Sequence, residues 1–131
     1  MYEMKEEYLT GIEEIDNEHR RLFEIAEETY RLLHESFISD KYDDVKHLLN
    51  ELREYTITHF EHEEAYMESI GYKRLFSQKM QHAAFVEKLE NFDLELIDET
   101  SDDMINEILQ FLTNWLVEHI LLNDKLIGEQ K

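Results

Sequence analysis

The chain has 131 residues, enough for one domain with a real core and too few for two of ordinary size. With no proline and only three glycines it lacks the turn residues an all-β sandwich or barrel needs, so a few long helices are expected. A net charge of −19 repels a phosphate backbone or an anionic membrane surface, and the absence of cysteine excludes disulfides, thiolate catalysis and cysteine-held zinc or iron–sulfur clusters.

In chain order, residues 1–15 read as an arm that packs across the rest through Tyr2, Tyr8, Leu9 and Ile12. The arm is acidic and shows no apolar stretch of a secretory signal. A first helix is predicted over residues 16–37, with Asp16 as its N-cap. Its stripe is Ile15, His19, Leu22, Ala26, Tyr30, Leu33 and Phe37. The second covers residues 42–70, with the stripe Val45, Leu48, Leu52, Tyr55, His59, Glu63, Tyr66 and Ile70. Asp40 and Asp43 stand at its start and Gly71 ends it. The third covers residues 74–97, with Leu75, Gln78, His82, Phe85, Leu89, Phe92 and Leu96. The fourth covers residues 102–127, with Ile105, Ile108, Leu112, Trp115, His119, Leu122 and Leu126. Ser101 caps it and Gly128 closes it. Short connections force antiparallel neighbours. The expected fold is all-α: a single-domain, up-down-up-down antiparallel four-helix bundle with an N-terminal arm. The longest apolar run, Ala83-Ala84-Phe85-Val86, is far short of a membrane span, so a soluble, cytoplasmic protein is expected.

Helix stripes should be apolar, yet these are broken by His19, His59, Glu63, Gln78, His82 and His119. Buried without partners, the ionisable ones would each cost several kcal/mol, so they must pair with each other or with a metal. In an up-down-up-down bundle all six fall at one end, roughly 5–16 Å from it at 1.5 Å per residue. His59/Glu63 and Gln78/His82 are i,i+4 pairs and share a helix face. Asp124 is five residues beyond His119, about 140° round an ideal helix, and reaches the cluster only if the helix is locally widened, as by a π-bulge. Nitrogen and oxygen donors from four helices suit iron, manganese or zinc, and two carboxylates that could bridge suit a pair of metals. His34, His47 and His62 lie off the stripes and are expected at the surface, and the Glu/Asp runs read as a solvated exterior.

At these residues the chain resembles the hemerythrin family, in particular its single-domain bacterial members. The resemblance is carried by Gly11-Ile12-x-x-Ile15-Asp16-x-x-His19-x-x-Leu22-Phe23, by His59-Phe60-x-x-Glu63-Glu64-x-x-Met67 with Gly71-Tyr72, and by Trp115-Leu116-x-x-His119-Ile120-x-x-x-Asp124. It implies two iron ions with an oxo or hydroxo bridge, and reversible binding of O2. By the same resemblance His19 and His59 would hold one iron, Glu63 and Asp124 would bridge, and His82 and His119 would hold the other. Trp115, Leu116 and Ile120 would wall the O2 pocket. The family's further histidine, four residues before His82, is replaced here by Gln78. That amide either ligates through its oxygen or stands off and leaves a position open.

The leading functional expectation is an O2-binding di-iron protein for storage, delivery or scavenging, more a binding protein than an enzyme. The alternatives are a sensor of O2, NO or redox state read by a protein partner, a peroxide- or NO-reducing enzyme made possible by Gln78, and a metal-free helical interaction protein. Ferritin-like iron oxidation is not expected, because the chain has no Glu-x-x-His pair.

Overall fold

A computed structural model of the chain describes residues 2–35, 41–91 and 102–130. It contains a 3-10 turn, Glu6–Tyr8, then α1 (Glu13–Glu35), α2 (Lys41–Ser69), α3 (Leu75–Asn91) and α4 (Asp102–His119). A π-helical turn, Ile120–Asp124, joins α4 to a final short helix α5 (Lys125–Gln130). Helix α1 packs against α2 and α4, α2 against α3, and rings of α3 meet rings of α4. This is the expected antiparallel four-helix bundle. Phe37, Asp40, Phe92, Leu96 and Ser101, with the two connections that hold them, lie outside the described residues. Among the described residues no helix is long and apolar enough to cross a membrane.

Local chemistry sets the element ends. Gly71 ends α2 at φ 63°, and both capping bonds form: Gly71 N–H donates to Glu68 O (3.1 Å) and Tyr72 N–H to Met67 O (2.9 Å). Asp16 is not the N-cap of α1. The helix starts a turn earlier, at Glu13, and the Asp16 carboxylate reaches back to accept from Thr10 N–H and Thr10 Oγ1 (both 2.8 Å) and Gly11 N–H (3.1 Å). It therefore pins the arm rather than the helix end. The arm docks as expected: Tyr8 stacks on Phe23 at 5.6 Å, Tyr2 meets Tyr30 edge-on at 5.6 Å, and Ile12 is buried.

Helix α4 brings two more corrections. Leu122, expected on the buried stripe, is 62% exposed, whereas Ile127 is fully buried. The π turn inserts an extra residue per turn, so beyond His119 the inward face shifts to Ile120, Asp124 and Ile127. Gly128 does not close the helix; it lies within α5, where its Cα faces the Thr10 carbonyl. The α2 stripe is also rotated: Leu49, Thr56, Phe60 and Met67 are buried, and Leu48, Tyr55 and Tyr66 are half-buried.

The apolar core falls into two clusters. The larger fills the bundle from Leu22, Phe60, Phe85 and Leu116 inward. The smaller, Ile12, Ile15, Met67, Tyr72 and Ile127, plugs one end. Along every helix the polar stripe-breakers sit between the two.

Candidate metal centre

The layer between the clusters is built from His19 of α1, His59 and Glu63 of α2, Gln78 and His82 of α3, His119 of α4 and Asp124 of the π turn, and all seven are buried. The π turn brings Asp124 to this layer, which is the local widening that its spacing from His119 requires. His34, His47 and His62 are exposed and lie outside it.

The carboxylates sit at the centre. Glu63 Oε2 lies 3.2 Å from His59 Nε2 and 3.6 Å from His19 Nε2, and its Oε1 lies 3.1 Å from His82 Nε2. Asp124 Oδ2 lies 3.3 Å from His19 Nε2, and its Oδ1 lies 3.2 Å from His119 Nε2. Each carboxylate thus gives one oxygen to each half of the layer. Two four-residue sets result, His19/His59/Glu63/Asp124 and Glu63/His82/His119/Asp124, each with donor atoms within 4.8 Å of one another. They share both acids.

These close pairs are not aligned as hydrogen bonds. Every buried side-chain nitrogen or oxygen without a hydrogen-bond partner among the described residues belongs to His19, His59, Glu63, Gln78, His82 or His119. Orphaned buried polar groups cost about 1–3 kcal/mol each, so a cluster of them needs another partner. Donors at right angles around an ion at about 2.1 Å lie about 3 Å apart, close to the separations found here. The residues present fit a pair of cations.

The far side of the histidines is held from outside the cluster. His59 Nδ1 donates to Glu18 Oε1 and His82 Nδ1 to Glu64 Oε2, both at 2.8 Å, which leaves each Nε2 lone pair facing the centre. Glu18 also pairs through Oε2 with the exposed His62 at 2.5 Å. Sequence reading gave Glu18 no role and named Glu64 only within the motif that carries the family resemblance. The signal that marks them is adjacency: each is next in the chain to a member of the cluster. Two rings are held by stacking as well, His82 on Phe60 (3.8 Å, 1°) and His119 on Trp115 (4.4 Å, 10°).

On the side of the larger core cluster is a small, partly open, mostly apolar cavity of about 20 Å³, lined among others by Leu22, Thr56, Phe85 and Leu116. Each of these is three residues from a cluster histidine, on the side toward the bundle centre. The volume admits one water or one diatomic molecule. Of the three residues expected to wall an O2 pocket, Leu116 alone lines this cavity. Trp115 lies on the outer side of His119, beside a surface pocket with Gln81 and Leu122, and Ile120 is buried in the larger core cluster.

Without a cation the layer must store charge. Burial lowers the pKa of His59, but the charge of the adjacent Glu63 and the hydrogen bond to Glu18 overcome it and raise it to about 10. Burial likewise opposes a rise at His19 and His82 that their carboxylate partners win. Burial raises Glu63 and Asp124, yet the histidines hold both below the ordinary carboxylate range. Raised histidines stabilise the fold below their unfolded pKa near 6.5, and that stability is lost as pH rises through their folded values. Depressed carboxylates stabilise it above about 4.5, and that part is lost as pH falls through theirs. Melting of the metal-free protein should therefore peak between about pH 4.5 and 6.5 and fall toward pH 9. Metal-induced stabilisation should rise over the same span, because ligation needs neutral imidazole. Thermal melts from pH 5 to 9, with chelator and with metal, check both slopes; a flat chelator curve contradicts the charge assignment.

The Hemerythrin HHE cation binding domain family matches residues 10–130. A bacteriohemerythrin of Clostridium acetobutylicum is 47% identical over 125 residues, which cover 95% of this chain and 97% of that one. One from Pseudomonas aeruginosa is 30% identical over 115 residues, 88% of this chain and 71% of that one. A crystal structure of wild-type hemerythrin superimposes with a TM-score of 0.81 at 24% identity, covering 98% of this chain and 95% of that one.

Proposed function

The chain belongs to the hemerythrin family, and from that premise we propose that its polar layer holds two iron ions with an oxo or hydroxo bridge and binds O2 reversibly. The observation that carries the reading is the pair of donor sets sharing Glu63 and Asp124. His19 and His59 would hold one ion, His82 and His119 the other, and Glu63 and Asp124 would be shared by both. Bound there, the irons supply the electrons for O2 binding, which no amino-acid side chain of this layer can do.

The protein's own contribution is donor number, orientation and dryness. Glu18 and Glu64 fix the tautomers of His59 and His82. The two apolar clusters exclude water above and below the layer. The cavity at Leu116 offers an apolar recess of the right size beside the four histidines. We place this function in the cytoplasm, where reducing conditions keep iron in the ferrous form that such a site loads.

The test is to load the metal-free protein with ferrous iron under anaerobic conditions, admit air and record the visible spectrum. A charge-transfer band that appears with air and bleaches when O2 is removed supports the proposal. Direct and irreversible passage to a ferric oxo-bridged spectrum contradicts reversible binding. One variant tests the recess. Leu116→Ala should speed loss of bound O2 by admitting water and should lower stability by about 2–5 kcal/mol through the enlarged cavity. Stopped-flow release and thermal melts measure the two effects, and an unchanged release rate removes Leu116 from the O2 site.

A further inference from the structure

Gln78 is the one uncharged member of the layer. It is 2% exposed, as its place on the α3 stripe predicts. Its Nε2–H donates to Asp124 Oδ1 at 3.1 Å. The orientation follows from chemistry, since a carboxylate oxygen accepts hydrogen bonds and would repel the amide oxygen. That leaves Gln78 Oε1 buried and without a partner. An apolar side chain of the same size would avoid the cost of about 1–3 kcal/mol that such an orphan carries. Asp124 Oδ1 is also the oxygen beside His119 Nε2, at 3.2 Å, so Gln78 stands on the His82/His119 half. All the other orphaned atoms in the layer belong to members of the two donor sets.

We propose that Gln78 Oε1 is a fifth donor to the cation held by Glu63, His82, His119 and Asp124, with its own amide N–H steadying the shared Asp124. The inference rests on the metal reading above. A neutral carbonyl oxygen is harder and weaker than imidazole. The two halves of the layer, otherwise matched at two imidazoles and two carboxylate oxygens each, are thereby made unequal. The competing assignment makes Gln78 a positioning residue only, acting through its hydrogen bond to Asp124.

Glutamate separates the two, because it keeps an oxygen donor and loses the amide N–H. The full chain, stripped of metal, is titrated with Co(II) and followed by calorimetry and by the visible Co(II) spectrum. Melting of each metal-free variant confirms folding. The wild type should take up two equivalents. Gln78→Leu should weaken one of them by about 10–100-fold and leave the other unchanged. Gln78→Glu and Gln78→His should hold that equivalent at least as tightly as the wild type. Two equivalents at wild-type affinity in Gln78→Leu would overturn the assignment, as would a Gln78→Glu protein as weak as Gln78→Leu. Failure of the wild type to bind any cobalt would instead sink the metal reading on which it rests.

Discussion

Replacing Glu63 with alanine should abolish uptake of both ions, with each affinity falling by at least about 100-fold, more than the loss of an outer-shell partner causes. Glu63 is fully buried and lies within 3.6 Å of three of the four histidines, with one oxygen in each half of the layer. Asp124 cannot take its place, because it already serves both halves. The substitution also strips the metal-free protein of the charge that holds His59 near pKa 10. His59 should then titrate below its wild-type value, and the fall in stability between pH 6.5 and 9 should become shallower. Metal content after dialysis and melting against pH read the two effects independently. Uptake of both ions at wild-type affinity would show that Glu63 bridges nothing.

Gly128→Ala should cost about 3 kcal/mol, about 10 °C in Tm, although the substitution is favourable in an ordinary helix. A Cβ at this position meets the Thr10 carbonyl oxygen at 1.8 Å and its carbon at 2.9 Å. Both are backbone atoms, and they cannot yield freely. Thr10 is tied to Asp16 through its N–H and hydroxyl, and its Oγ1 accepts from Ile12 N–H at 3.1 Å. The glycine therefore serves close approach between α5 and the arm. Thermal melts check the effect. A Gly128→Ala protein as stable as the wild type would mean that α5 does not seat against the arm, and Thr10→Ala offers a second probe of the same contact.

Most of the cluster was legible because a buried helix stripe has few ways to carry polar residues. His19, His59, Glu63, Gln78, His82 and His119 all break an apolar period of 3.6, and the topology stacks them at one level. From spacing alone Asp124 was legible only as a conflict, since its distance from His119 demanded a distortion that the π turn supplies; the family resemblance was what marked it as a ligand. Beyond that turn the helical period no longer applied, which is why Leu122 was misplaced and Ile127 missed. Glu18 and Glu64 escaped because charge alone does not distinguish a solvated acid from one aimed at an imidazole. Asp16 and Gly128 carried true signals with the wrong reading. A cap residue and a helix-ending residue were both used to seat the arm, Asp16 against α1 and Gly128 against α5, and sequence periodicity carries no information about such contacts.

The stacking of Trp115 on His119, at 4.4 Å and 10°, has an optical consequence. The chain has a single tryptophan, so its indole fluorescence comes from one ring pressed against one edge of the layer. Light absorbed there is emitted only if no faster route drains the excited state. A redox-active ion bound through the neighbouring imidazole opens such a route by electron transfer, and a filled-shell ion such as zinc does not. The brightness of the unlabelled protein should thus fall when a redox-active ion fills the site and hold when zinc fills it.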